Sequence, residues 1–279
     1  MRIAMLGGGV IARLFIDHIR RGDLGDSQVI AIVGRSAAER AGDDTASRGR
    51  ALATEHGIAY VTDVPGLLAT KPDIVVEAAS HDAVRLYAEP LLAAGIGMIV
   101  LSCGVMADDA LRARMEAASR RTGAQLYVPS GGIGGLDALK AAAFAGVDEA
   151  GITVNKPPVA WKGIAYVDRL GIDMDTLTER TVLYDGPARA GVIHFPANVN
   201  IAAVLSMAGI GFDRTRLTVV AVPGLARNTH NIHVKGRTGD ISITLENVPS
   251  PENPKTAWLA CYSALAALKL AQDRVRYGT

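Results

Sequence analysis

The first 130 residues constrain this chain most, because aliphatic and amphipathic segments take turns along them. RIAMLG, VIAIVGR, DIVVEAA, MIVLSCG and AQLYVPSG are strand-like. Between them, IARLFIDHIRRG, AAERAGDDTASRGRALATEHG, HDAVRLYAEPLLAAG and DALRARMEAASRRTG carry helical periodicity. Short aliphatic strands separated by amphipathic helices make βαβ units, and therefore a parallel sheet with helices on both faces. The expected class is α/β, with a doubly wound parallel sheet built from these five strands near residues 1–128.

After Pro129 the rhythm changes. GGLDALKAAAFAG reads as one helix and GITVNKPPVAW as a strand entering a proline turn. LTERTVLYDG, RLTVVAVPG, HNIHVKG and DISITLENV are strand-like, with turns expected at Asp-Gly, Pro-Gly, Lys-Gly and Gly-Asp. Strands in succession imply a second α+β domain, about 129–254, carrying a mixed or antiparallel sheet. FPANVNIAAVLSMAGIG supplies a helix within it. The tail, about 255–279, reads as a last helix that returns to pack on the first domain, with a cleft between the two domains.

Composition removes several classes. Lys+Arg 29 against Asp+Glu 28 gives a net charge of +1, which provides no electrostatic footprint for nucleic acid. Cys103 and Cys261 are the two cysteines, too few for a disulfide framework or a four-thiolate zinc site. MRIAMLGGG is followed by helical periodicity rather than a cleavage site, so it reads as a strand and not a signal peptide. The uncharged stretch from Pro90 to Ala107 is broken by Gly95, Gly97 and Gly104, which fits a helix end, a turn and a buried strand better than a membrane span. A soluble, cytoplasmic protein is expected.

Gly7, Gly9 and Ala12 form G-x-G-x-x-A directly after the first strand and at the start of a helix. Gly7 permits the tight turn, and Gly9 lets the backbone approach a pyrophosphate. Ala12 lets the helix lie close to the sheet, with the amides of Val10 and Ile11 facing the phosphates. The second strand ends in Gly34, Arg35 and Ser36, where an NAD-selective chain carries an acidic residue. A guanidinium and a hydroxyl suit a 2′-phosphate, so the expected cofactor is NAD(P), with NADP favoured if Arg35 is not simply a solvated residue. Ser80, His81 and Ser102 lie at the carboxyl ends of strands and can line the nicotinamide ribose, although His81 equally suits a helix cap. Cys103 has no histidine tied to it by sequence and reads as a small buried residue.

SGGIGGLDALKAA, NKPPVAW, FPANVNIAA, RNTHNIHV and ENVPSPENPKT, in that order after the glycine loop, resemble L-aspartate dehydrogenases. The resemblance covers nearly the whole chain. It implies a Rossmann domain for NAD or NADP and a second domain that supplies the active site and a homodimer interface. The implied reaction is reversible oxidative deamination of L-aspartate to oxaloacetate and ammonia through iminoaspartate, which can also feed nicotinamide-nucleotide biosynthesis. By position, the resemblance makes His230 the active-site histidine and gives Asn200 and the backbone at Gly134 to the cofactor. SGGIGG, SCGVMAD and NPKTA depart from the more usual SGAIAG, SVGALAD and a terminal serine. These are changes of small residue for small residue and remove no proton-carrying group.

Amine deprotonation and carbinolamine collapse need a group that exchanges protons near neutrality, and histidine is that side chain. His18, His56 and His81 belong to the nucleotide-binding half, leaving His194, His230 and His233. His230 and His233 are three apart on a strand and face opposite ways, which argues against a zinc site; no metal is expected. A dicarboxylate also needs cationic or amide partners. Lys156 and Asn198 are the leading candidates, with Arg227, Asn228, Asn253 and Lys255 behind them, although residues of each kind are more often turn formers or surface charges than ligands. Two further readings stay open: a dehydrogenase or reductase of another small amino or 2-oxo acid, as in dihydrodipicolinate reductases and homoserine dehydrogenases, and a non-catalytic NAD(P)-binding regulator.

Overall fold

The computed structural model describes residues 1–35, 44–196, 199–252 and 257–277. It divides into two compact units, one of Met1–Pro129 with Ala264–Asp273 and one of Ser130–Ser263 with the tail from Arg274.

The first unit holds β1 (Arg2–Leu6), α1 (Val10–Arg20), β2 (Gln28–Val33), α2 (Asp44–His56), β3 (Ala59–Val61), α3 (Val64–Ala69), β4 (Ile74–Glu77), α4 (His81–Ala93), β5 (Gly97–Val100), α5 (Asp109–Thr122) and β6 (Leu126–Tyr127). Its six strands are all parallel, in the order β3-β2-β1-β4-β5-β6. That is one strand more than the five expected, because the short Ala-Tyr-Val segment of β3 adds an edge, while β6 is shorter than AQLYVPSG suggested. β4 and β5 are buried at every position, as strands covered on both faces must be. One face packs Ile3, Met5, Ile32, Ile74, Val76 and Ile99 against Ala12, Phe15 and Ile16 of α1 and Leu52 of α2. The last helix, α10 (Trp258–Gln272), adds Ala264, Leu265 and Leu268 to the same core. Asp63 and Asp108 cap α3 and α5 through Gly66 and Leu111, and Gly123 ends α5 in the left-handed conformation.

The second unit contains α6 (Leu136–Ala145), β7 (Val147–Lys156), α7 (Ala165–Asp168), β8 (Thr181–Pro187), α8 (Ala188–His194), α9 (Asn200–Ala208), β9 (Thr215–Ala221), β10 (Asn228–Gly236) and β11 (Gly239–Asn247). The sheet order is β11-β10-β7-β9-β8; β7 and β9 run parallel and the other pairs antiparallel, so the sheet is mixed. Asp185-Gly186 is not a turn: both residues sit inside β8, opposite Thr218 and Leu217. Arg216 grips Asp185 with two bonds of 2.7 and 2.5 Å, which holds the strand through a dipeptide that otherwise favours a turn. Alternation is clearest on β10, where Asn228, His230, Ile232 and Val234 are buried and the residues between them are not. α9 presents Ile201, Ala202, Val204 and Leu205 as buried residues, consistent with the apolar run from which it was expected.

Candidate active site

In the first unit the strand order reverses between β1 and β4, and open α/β sheets take ligands beyond the carboxyl ends of the strands at such a point. Gly7 turns the chain there with φ of 108°, and a Cβ on it would meet the Ala78 carbonyl oxygen at 2.7 Å. A Cβ on Gly8 would run into the backbone of Gly49 on α2, whereas one on Gly9 would have nothing within 4 Å. The loop is therefore closed against protein at its first two glycines and open at the third, the N-cap of α1. That cap has no side-chain hydrogen bond, and the first turn has no acidic residue. The opening amides of a helix lack intrahelical acceptors and, with the helix dipole, favour an anion. The cradle fits the pyrophosphate of a dinucleotide.

Arg35 follows β2 as an exposed side chain. Its carbonyl accepts from the Tyr60 hydroxyl at 3.2 Å, and the Arg50 guanidinium lies 4.5 Å over the Tyr60 ring. Ser36 lies outside the described residues. At the end of β4, Ser80 rather than His81 caps α4, its Oγ accepting from the Ala83 amide at 3.2 Å. Ser102 gives its hydroxyl to the carboxylate of Glu77 at 2.8 Å. Burial, with the charge of Glu77, pushes the Cys103 thiol up to about 12, so it is held as an inert thiol.

In the second unit, polar side chains gather at one end of an otherwise apolar sheet face. His230 lies opposite Val154, so Lys156, two residues on along β7, shares its face; Asn228 pairs with Asn247. Ile152, Val154, Ile232 and Val234 continue that face as buried apolar residues. Lys156 is only 6% exposed and sits 5.0 Å over the ring of Trp161. The Pro157-Pro158 turn brings Trp161 back beneath it, and the indole donates to the Val220 carbonyl at 3.1 Å. Burial lowers the Lys156 ammonium to about 8.

His230 is 3% exposed, and burial pulls its imidazole down to about 4, with a bond to Gly132 opposing and the Lys156 charge adding to the effect. Its Nδ1 lies 3.2 Å from the Gly132 carbonyl and 3.0 Å from Asn247 Nδ2, which itself donates to that carbonyl at 2.8 Å. His230 Nε2 is buried with no hydrogen-bond partner among the described residues. Folding an imidazole nitrogen away from water without a partner costs free energy, so the natural partner is a ligand. An ammonium, an imidazole edge and carboxamides in an apolar surround can hold an anion and exchange a proton beside it.

Two family descriptions match the chain: "Homoserine dehydrogenase, NAD binding domain" over residues 7–129 and "Aspartate dehydrogenase, C-terminal" over residues 137–271. An L-aspartate dehydrogenase 2 of Bordetella pertussis is 44% identical over 282 residues, covering 99% of both chains. The chain belongs to the L-aspartate dehydrogenase family. An L-aspartate dehydrogenase of Methanosarcina barkeri is also 44% identical, over 74% of this chain and 76% of its own. The aspartate dehydrogenase structure from Thermotoga maritima superposes with a TM-score of 0.73 at 25% identity, over 100% of this chain and 99% of that one. Membership settles the class: a Rossmann-type NAD-binding unit followed by the family's second domain, in an oxidoreductase.

Within the family frame, Lys156 and His230 come together on one sheet face, as their separate sequence motifs did not require. Asn200 opens α9, Gly134 precedes the left-handed Gly135 that begins α6, and Asn198 lies outside the described residues, as do Asn253 and Lys255. His233 faces the exposed side of β10. His194 is stacked on Tyr166 at 4.1 Å and forms an aromatic cluster with Tyr184 and Phe195. Three residues escaped sequence reasoning: Asn247, Gly132 and Glu77. Asn247 and Gly132 stand in motifs that carried the resemblance, and only the folded chain brings them to His230: Asn247 by the pairing of β11 with β10, Gly132 from the turn before α6.

Proposed function

We propose that the chain oxidises L-aspartate with NAD(P), forming iminoaspartate and then oxaloacetate and ammonia, and that the reaction runs in both directions. The observation that carries this reading is the buried pairing of Lys156 with His230, whose Nε2 has no protein partner among the described residues. A bound nicotinamide would supply the acceptor for the hydride that leaves Cα. Lys156, held over Trp161, binds a substrate carboxylate, and Asn198 is assigned to the substrate from its sequence motif. His230 exchanges a proton at Nε2 with the amine and with the attacking water, while Nδ1–H donates to the Gly132 carbonyl, to which Asn247 also donates. The apolar wall of Ile152, Val154 and Ile232 excludes bulk water from that exchange.

For the cofactor, the reading assigns Gly7, Gly9, Val10 and Ile11 to the pyrophosphate, Arg35 and Ser36 to the adenosine ribose, and Ser80, His81 and Ser102 to the nicotinamide riboside. Gly134 and Asn200 are assigned by family position. The cation of Arg35, with no acidic residue at the end of β2, supports use of NADP over NAD. Family resemblance supports a cytoplasmic homodimer supplying iminoaspartate to nicotinamide-nucleotide biosynthesis. Among the described residues no helix is long and apolar enough to cross a membrane.

Product analysis tests the reading. L-Aspartate, with oxidised cofactor, should release ammonia and oxaloacetate in equal amounts. Glutamate, alanine and homoserine should release little. Faster turnover of any of these than of aspartate would transfer the site to another small amino acid.

A further inference from the structure

Glu77 is the one fully buried carboxylate among the described residues, with 0% exposure, and nothing in the proton chemistry above uses it. It is the last residue of β4, beside the point where the sheet reverses. Its Oε1 accepts from the Ala79 amide at 2.8 Å and the Ser102 hydroxyl at 2.8 Å. Its Oε2 accepts from the amides of Ser102 at 2.9 Å and Leu101 at 3.2 Å. Burial pushes the carboxyl upward and these bonds pull it back. Three of the four partners are backbone N–H groups, which can only donate, and a carboxylate accepts from all four at once.

Those four bonds join the turn that leaves β4 to the turn that leaves β5. The β4 turn also forms one side of the glycine loop, because Ala78 and Ala79 are the atoms that a Cβ on Gly7 would strike. In a doubly wound sheet the dinucleotide crosses the reversal point, with its adenosine half over β2 and its nicotinamide half over β4 and β5. Two segments around that second half, Ala78–Ser80 and Leu101–Cys103, are therefore tied to one another through a single carboxylate, and the first of them abuts Gly7.

We propose that Glu77 is a positioning residue for the nicotinamide half of the cofactor, clasping the β4 and β5 turns into the shape that receives it. This rests on the reading of the first unit as the cofactor site. The adenosine half is built from the glycine loop, α1 and the end of β2, none of which Glu77 bonds. The clasp should therefore matter to the whole dinucleotide and not to its adenosine fragment.

The test compares binding of NADPH and of 2′,5′-ADP to the full-length protein by fluorescence and calorimetry, in wild type, Glu77→Gln and Ser102→Ala. Glu77→Gln keeps the shape but turns an amide NH2 toward donors, and should weaken NADPH about tenfold or more. Ser102→Ala removes one donor and leaves the charge in place, and should weaken NADPH about threefold. In both variants 2′,5′-ADP should bind within about twofold of wild type. Equal losses for fragment and dinucleotide would make Glu77 a general scaffold residue and overturn the proposal, as would unchanged NADPH binding in either variant. If Glu77→Gln does not fold, Glu77→Asp, which keeps the charge on a side chain too short to span both turns, decides the matter with the same two ligands: NADPH should weaken about tenfold and 2′,5′-ADP should stay within about twofold of wild type. Wild-type protein that binds neither ligand would remove the cofactor reading itself, an outcome distinct from either pattern in the variants.

Discussion

Burying a neutral histidine ties the stability of the second unit to pH, and the size of the effect follows from the site. His230 ordinarily titrates at 6.5 and is pulled down to about 4 in the folded chain. Between those values the unfolded chain binds the proton and the folded chain does not, so stability rises with pH across the window and is lost as pH falls through it. The contribution is fully present above 6.5. It is reduced by about 2 kcal/mol near pH 5 and by about 3 kcal/mol below both values. Glutamine at 230 retains polar bulk without the titration. Denaturant melts of wild type and His230→Gln at about pH 8 and pH 5 isolate the effect, because the other titrating groups are common to both proteins. Wild type should lose about 2 kcal/mol more than the variant on acidification. Equal losses would mean that the imidazole is not held neutral by burial, and the chemistry assigned to its Nε2 would lose its basis.

Lys156, lowered to about 8, should lose its charge in the free enzyme as pH rises from 7 to 9, so KM for aspartate should climb in that interval. Lys156→Met should show a high KM without that climb, with kcat/KM down by roughly 10- to 100-fold and NADPH affinity unchanged. Asn247→Asp places an anion 3.0 Å from His230 Nδ1 and should raise the imidazole pKa, moving the acid limb of the kcat/KM profile upward by about one unit or more; an unmoved limb would remove Asn247 from the site. Arg35→Asp should exchange a 2′-phosphate partner for a 2′-hydroxyl partner, lowering the NADP to NAD ratio of kcat/KM by about tenfold or more. An unchanged ratio would return Arg35 to the solvated surface.

The parts of the fold legible in sequence are those in which local pattern and tertiary role coincide. β1, β4 and β5 are aliphatic runs because they are buried on both faces, and the glycine loop reads clearly because Gly7 needs a positive φ against Ala78. β3 was hidden because a three-residue edge strand pairs with only one neighbour and needs no aliphatic run. α8 was missed because ARAGVIH follows Gly-Pro and is too short to show a period. Within the site, Lys156 and His230 announce themselves by chemistry, but their neighbourhood is a property of register: β10 pairs with β7 so that both enter one face. Glu77 and Asn247 resemble ordinary strand-end residues, and only the amides and carbonyl they meet, contributed by other segments, give them work.

The most direct test of the account is turnover by purified wild type and His230→Ala, followed by nicotinamide absorbance, with NADPH affinity measured on the same samples. The assay runs oxaloacetate with ammonia against NADPH and NADH, and L-aspartate against the oxidised cofactors. Turnover should run in both directions, with NADPH ahead of NADH. In His230→Ala the rate should collapse by about 100-fold or more while NADPH still binds. A variant that turns over at the wild-type rate, or a wild type that binds cofactor and leaves aspartate and oxaloacetate untouched, would contradict it.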